Sequence, residues 1–163
     1  KYFTALVSGK NNPQQPIKQQ TFIRALEKFI PELKVYYGHF LTHEVIAKLA
    51  NPTTTKKTVK IIKTEEKGSD VNIAVHILND AWLNNFDCAV VVSNDSDLAE
   101  AMKLVRLHHP QKIIGLIMPG KGHPSKELMQ HAHFVKRVRT GLLSISQLPN
   151  PIPGTKIKKP HDW

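Results

Sequence analysis

An α/β domain with a mainly parallel central sheet is the fold class this chain predicts, and three observations carry the prediction. Short apolar, β-branched runs alternate with helical patterns, the order expected when helices cover a parallel sheet. The clearest run, Cys88-Ala89-Val90-Val91-Val92-Ser93, stops abruptly at acidic residues, and parallel sheets place ligand sites just beyond the carboxyl ends of their buried strands. At 163 residues with 40% hydrophobic content, the chain makes one domain with a real core.

Each element follows from local pattern. Tyr2 to Val7 is an apolar strand, and Ser8 to Pro16 reads as a loop from its Asn-Asn-Pro and Gln content. Thr21 to Ile30 carries Phe22, Ala25, Leu26 and Phe29 on one helical face and is ended by Pro31. Lys34 to Phe40 is the next strand, Ala50 to Lys57 a loop rich in Pro and Thr, and Thr58 to Lys63 a third strand. Val71, Ala74, Val75, Leu78, Ala81 and Trp82 recur at helical intervals, with Asp70 in the first turn or at its cap. Cys88 to Ser93 is followed by a second such pattern in Leu98, Ala101, Met102 and Val105. Ile113 to Met118 and Phe134 to Val138 are the remaining strands, with a short helix over Ser125 to Ala132 between them. The domain covers 1–148. Residues 149–163, rich in Pro and Lys, are expected to form an extended surface tail, able to fold back or to lead towards a partner.

Two junctions carry chemistry. In Ser93-Asn94-Asp95-Ser96-Asp97-Leu98 two carboxylates stand at i and i+2 on a turn after a strand, a pattern that suits a hard divalent cation. Helix capping accounts equally well for one of these acids. Glu65-Glu66-Lys67-Gly68-Ser69-Asp70-Val71 lies at another strand-to-helix junction, where Asp70 taken alone is a cap. The two segments, about 25 positions apart, reinforce each other.

Together they resemble the NYN family of PIN-like nucleases. Lys1-Tyr2-Phe3-Thr4-Ala5, Gln20 to Leu26 and Ser146-Gln147-Leu148-Pro149 are also similar to the bacterial branch of that family, so the resemblance covers most of the chain. It implies a three-layer PIN-like domain whose mainly parallel sheet is flanked by helices. It also implies a metal-dependent endoribonuclease that hydrolyses RNA with metal-activated water. Asp70, Asp95 and Asp97 match the acidic positions that bind Mg²⁺ or Mn²⁺, and Ser93 matches a small hydroxyl residue that orients ligands or water. Asn94 stands where many relatives have Gly and should alter the turn modestly, because Asn tolerates left-handed backbone. The family normally opens with an apolar strand ending in Asp-Gly-x-Asn, central in the sheet, which supplies a further acid. No such segment precedes Lys1, and the expectation is that the native protein carries one upstream, without which both neighbouring strands expose apolar faces.

Charge adds a different argument. A formal net charge of +10 and a pI near 9.8 suit a polyanion, and single-stranded RNA fits best. Lys56, Lys57, Lys60 and Lys63 precede the first acidic junction, Lys136, Arg137 and Arg139 cluster later, and Lys156, Lys158 and Lys159 lie in the tail. Lys63, Lys67, Asn94 and Lys121 are the expected nucleic-acid contacts, with Glu66 a second-tier residue holding an outer water. A carboxylate cluster repels phosphate unless a cation inverts the local field, so acids in a basic protein make most sense with metal. Tyr36, Tyr37, His39 and Phe40 are candidates for base stacking, with strand core the simpler reading.

Other classes find less support. His108-His109 and His131-x-His133 have no cysteine partners at zinc spacing, Gly120-Lys121-Gly122-His123-Pro124 lacks the phosphate-loop pattern, and no Ser lies in a nucleophile elbow. The single Cys88, expected to be buried, argues against a disulfide framework and for a reducing, cytoplasmic setting. No apolar stretch approaches membrane-spanning length, and no signal peptide is visible. A non-catalytic RNA-binding module on the same fold is the alternative function. A phosphatase or Toprim reading of the D-x-D is weaker, because Leu98 and the lack of a glycine after Asp97 depart from those motifs. A homo-oligomer, or a protein partner met through the tail, is compatible with the chain.

Overall fold

The computed structural model describes residues 1–163 except 11, 121 and 162. In chain order the elements are β1 (Tyr2–Ala5), α1 (Gln14–Phe29), β2 (Val35–Lys48), β3 (Thr58–Lys67), α2 (Ser69–Trp82) and β4 (Cys88–Val92). A 3-10 turn over Ser96–Leu98 leads into α3 (Ala99–His108), followed by β5 (Ile113–Met118), α4 (Lys126–Gln130), β6 (Phe134–Arg137) and α5 (Thr140–Ile145). All six expected strands are present. They form two three-stranded sheets, however, and only one is wholly parallel.

In the second sheet β4, β5 and β6 lie side by side and parallel, Val91 opposite Leu116 and Leu116 opposite Val135. Its strands are the short apolar runs that need helices on their faces. Helices α2, α3 and α4 supply that cover, and Val91, Leu98, Met102, Val105, Ile114, Leu116 and Leu128 make one continuous core. Gly115 is required there, because a Cβ would stand 2.1 Å from the ring of Phe134. Lys112, only 2% exposed, is fully used. Its ammonium donates to Asn84 Oδ1 at 2.7 Å and to the Phe86 carbonyl at 2.6 Å, and so ties down the α2–β4 connection.

The first sheet is mixed: β1 is parallel to β2, and β2 is antiparallel to β3. Here the strands run past their expected ends. Pairing continues from His39 opposite Lys67 to Lys48 opposite Thr58, so residues 41–48, past the expected end of the second strand, and 64–67, past that of the third, form a long two-stranded ribbon. Cross-strand pairs hold it: Val45 faces Ile61, and the Thr42 and Thr64 hydroxyls meet at 3.0 Å. Helix α1 likewise starts earlier than expected. Its Gln19 receives the Val7 amide at 2.9 Å and donates to the Ala5 carbonyl at 2.7 Å, which fixes the exit of β1.

β1 and β4 run in the same direction, both against α2. Lys1, heading β1, reaches Asp80 near the end of α2, while the Ser69 amide at its start packs against Gly38, which pairs with Ala5 at the other end of β1. β4 begins just after α2 ends and finishes beside its first turn. Both are edge strands of their sheets, and a groove of about 500 Å³ separates them, floored by Ile73, His76 and Ile77. Val90 and Val92, on the open edge of β4, are 47% and 60% exposed.

The tail is not extended. The described residues of 149–163 fold back on α1, with Ile152 buried, its amide bonded to the Ile157 carbonyl at 3.0 Å, and Trp163 edge-on to Phe22 at 5.9 Å. Cys88, expected to be buried, is exposed at the start of β4. Among the described residues no helix is long and apolar enough to cross a membrane.

Candidate active site

The end of β4 turns sharply through three local hydrogen bonds or anchors. Ser93 Oγ accepts the Asp95 amide at 3.1 Å, Asp95 Oδ1 accepts the Asp97 amide at 2.9 Å, and Leu98 buries itself in the core beneath. Asp95 therefore does cap the short helical turn, as its residue type allows. The cap also holds Asp95 and Asp97 at the rim of the sheet.

Asn94 has a role that no local pattern signals. Its Nδ2 donates to the His123 carbonyl at 2.9 Å and its Oδ1 accepts the Ser125 amide at 2.8 Å, so one side chain staples the β5–α4 loop to the acidic turn. Arg137 adds a bond to the Gly122 carbonyl at 3.0 Å. Asn94 does not adopt left-handed backbone, as its replacement of a glycine suggested; Asn84 is the non-glycine residue that does, among those described. Both ends of the Asn94 amide are thus engaged by the protein, which gives it a positioning role in this loop.

The second acidic segment reaches the same place from another direction. β3 ends at Lys67, Gly68 adopts φ +97°, a conformation that favours glycine, and α2 starts at Ser69 with Asp70 in its first turn. Gly38 makes this crossing possible, because a Cβ there would stand 2.5 Å from the Lys67 carbonyl. Burial, and then the carboxylates of Asp95, Glu66 and Asp97, push the Asp70 carboxyl above its ordinary range. Four acids from two separate segments thus share one electrostatic neighbourhood. Glu66 is further tied to the start of α2 by the Ser69 hydroxyl.

Lys63 and Lys67 lie on the other face of β3 from Glu66, since successive strand side chains alternate. Both pair with Glu65, at 2.6 and 3.3 Å, and their hydrogen bonds hold its carboxyl below the usual range. Lys121 lies outside the described residues. Tyr36 is strand core, stacked on Phe3 at 5.2 Å and tilted against His76 at 4.0 Å, whereas Tyr37 and Phe40 are exposed. The histidines are structural neighbours: His108 and His109 pack on Trp82, and His133 Nδ1 accepts the Ile114 amide at 3.0 Å.

Oxygen donors of this kind suit a hard cation, and their mutual repulsion is what a cation would relieve. They are not drawn into a closed cage. Among the described residues no group of three or more His, Cys, Asp or Glu side chains is placed tightly enough to enclose an ion. Magnesium retains several waters and commonly takes only one or two carboxylates directly, so an open arrangement still fits it.

Comparison with known proteins agrees with the motifs. Across its whole length, over 177 aligned positions, the chain is 30% identical to the 6-hydroxy-3-succinoylpyridine 3-monooxygenase HspA of Pseudomonas putida (strain DSM 28022 / S16), and it spans 56% of that relative's length. No solved structure shows a significant match. The sequence model of the NYN domain matches residues 11–143, which include both acidic segments and all but the first strand. With that match over most of its residues, the chain belongs to the NYN domain family, a group of PIN-like, nuclease-type domains.

Proposed function

We propose that this domain is a metal-dependent endoribonuclease in which Asp70, Asp95 and Asp97 hold one or two Mg²⁺ or Mn²⁺ ions over single-stranded RNA. The observation that carries the reading is that two strand–helix junctions meet: Asp95 and Asp97 at the end of β4 lie near Asp70 and Glu66 at the β3–α2 junction, closely enough that, after its desolvation, they raise the Asp70 carboxyl. Acids collected against their own repulsion, in a protein of net charge +10, are a cost that a bound cation offsets. When bound, such an ion lowers the pKa of water and neutralises charge on a scissile phosphodiester.

The chain's own groups supply the rest. Ser93 and the Asp97 amide fix the Asp95 carboxylate, Asn94 holds the neighbouring loop in register, and Glu66 stands beside Asp70 to hold an outer water. Lys63 and Lys67, already partnered by Glu65, are the phosphate contacts nearest the acids in sequence, and Lys121 extends that set. The set leaves room for a further carboxylate. The groove between β1 and β4, whose walls both run towards the acids, is where an added strand would deliver it. A cytoplasmic setting belongs to the same proposal.

The test is incubation of labelled single-stranded RNA with the full-length protein in Mn²⁺, in Mg²⁺ and in chelator, beside Asp95→Asn. Asn caps as well as Asp, so the turn survives while the charge is lost. Metal-dependent cutting that falls to background in the variant is the expected result. Binding without cutting in every condition would make the domain an RNA-binding module. The name of the Pseudomonas putida relative supplies a second reading, oxygenation of a pyridine ring. Oxygen uptake on 6-hydroxy-3-succinoylpyridine with a reductant, in place of RNA cleavage, would favour it.

A further inference from the structure

We infer that the β2–β3 ribbon is an RNA-guiding arm, gripping the substrate strand away from the acids and leading it to them. The inference rests on the ribonuclease reading above and adds a second, remote contact region to it. Three observations carry it. The ribbon is long: from Lys67 to Thr58 it extends about 30 Å at strand rise, and its strands contain no buried residue. It is also one-signed. From Val45 to Thr64 the sequence holds Lys48, Lys56, Lys57, Lys60 and Lys63 and no acid, and all five lysines are exposed. Glu44, just before this stretch, reaches Lys60 at only 3.7 Å across open solvent.

The third observation gives the arm a direction. Register and alternation place Lys48, Lys60, Ile46, Ile62, Phe40 and Glu66 on one face, with Glu44 opposite Ile62 as the acid within it. Ile46 and Ile62 are 70% and 75% exposed, and Glu66 at the inner end accepts the hydroxyl of Ser69, the neighbour of Asp70 at the start of α2. A strand laid on this face meets ammonium groups for its phosphates at the outer end, Ile46 and Ile62 for its bases in the middle with Glu44 held off by Lys60, and the acids at the inner end. Pairing with a second copy is the competing use of an exposed ribbon, but it would bring one lysine-rich tip against another.

The experiment compares the wild type with a Lys48→Gln, Lys56→Gln, Lys57→Gln, Lys60→Gln variant. Cleavage is followed on a 20-nucleotide and a four-nucleotide RNA, and binding of the 20-mer is measured in the Asp95→Asn background at several salt concentrations. The four-nucleotide substrate leaves two nucleotides either side of the scissile bond and cannot reach the tip. For the 20-mer, the expected result is a Kd raised at least about tenfold and a log Kd–log salt slope reduced by roughly 2 to 3, at about 0.7 per phosphate contact. Cleavage of the tetramer should stay unchanged. Ile46→Ser with Ile62→Ser should weaken 20-mer binding without altering the salt slope. Equal losses on both lengths, no loss on either, or a changed sedimentation coefficient in place of changed RNA binding would each overturn the inference. If neither RNA is cut while the 20-mer still binds through the lysines, the arm stands and the nuclease reading fails.

Discussion

The two sheets of this small domain have opposite characters. Around β4, β5 and β6 the side chains of Val105, Ile114, Leu116 and Leu128 are wholly buried, and helices cover the faces. In the other sheet neither β2 nor β3 has a buried residue, and β1 contributes only Ala5. The difference teaches where precision lies. Asp95 and Asp97 hang on the packed half, fixed by a cap and by Leu98 in the core, while the lysine-rich ribbon belongs to the half that water surrounds. Helix α2 packs against β1 and β2 on one side and α3 on the other, and so carries Asp70 to the border between the halves.

The strongest test of this contrast is a pair of truncations in urea denaturation. Leu116→Ala removes a wholly buried side chain and should cost about 2 to 5 kcal/mol, because the surrounding core relaxes only in part. Ile62→Ala, on the ribbon, should change stability by less than about 0.5 kcal/mol. Comparable losses would mean that the ribbon is packed in solution, and the contrast would fail.

A smaller effect is expected at the staple between the two loops of the packed half. Asn94→Ala removes both bonds to the β5–α4 loop, and the cost should be on the order of 1 kcal/mol, since these groups are exposed and water replaces them. Hydrogen exchange of the Ser125 amide should quicken in the variant while that of Ile114 stays slow. Unchanged exchange at Ser125 would show that Arg137 holds the loop alone.

What the residues announce follows the same division. The packed half is legible because Cys88–Val92 and Ile113–Met118 are apolar runs with clear ends, and because Leu98, Met102 and Val105 keep helical spacing. Asp70 and Asp95 are legible as junction residues for the same reason. The ribbon is not, because both faces are wet: His39, His43 and Glu44 interrupt any alternation, and β2 therefore reads as ending at Phe40. Gln14 to Pro16 read as loop from their Gln and Pro content, although α1 already begins there. Partners distant in sequence leave no local sign at all, as with the Asn94 staple, the tail packed on α1, and the separation of β1 from β4.

The smallest effect expected concerns the border between the halves and has a sign that separates a metal site from a mere helix-entry charge; Asp70 is not the cap of α2, a place that Gly68 takes. Asp70 has a raised carboxyl in the folded protein, so between its unfolded pKa and that raised value the native state holds more protons than the unfolded one. Stability then falls as pH rises through this window, and the ionised Asp70 is a net burden at neutral pH. Asp70→Asn should remove the burden and raise the melting temperature slightly at pH 7 in chelator, by less than about 1 kcal/mol after solvent screening, with the gain vanishing below the window. A helix-entry role alone predicts the opposite sign, since Asp70 stands in the first turn after the Gly68 cap, where a negative charge favours the helix. Millimolar Mg²⁺ or Mn²⁺ should stabilise the wild type more than the variant, because an ion that binds only the folded acids shifts the equilibrium by mass action. A variant less stable than wild type in chelator, or one that gains as much from the ions as wild type does, would mean that Asp70 belongs to the helix and not to a metal centre.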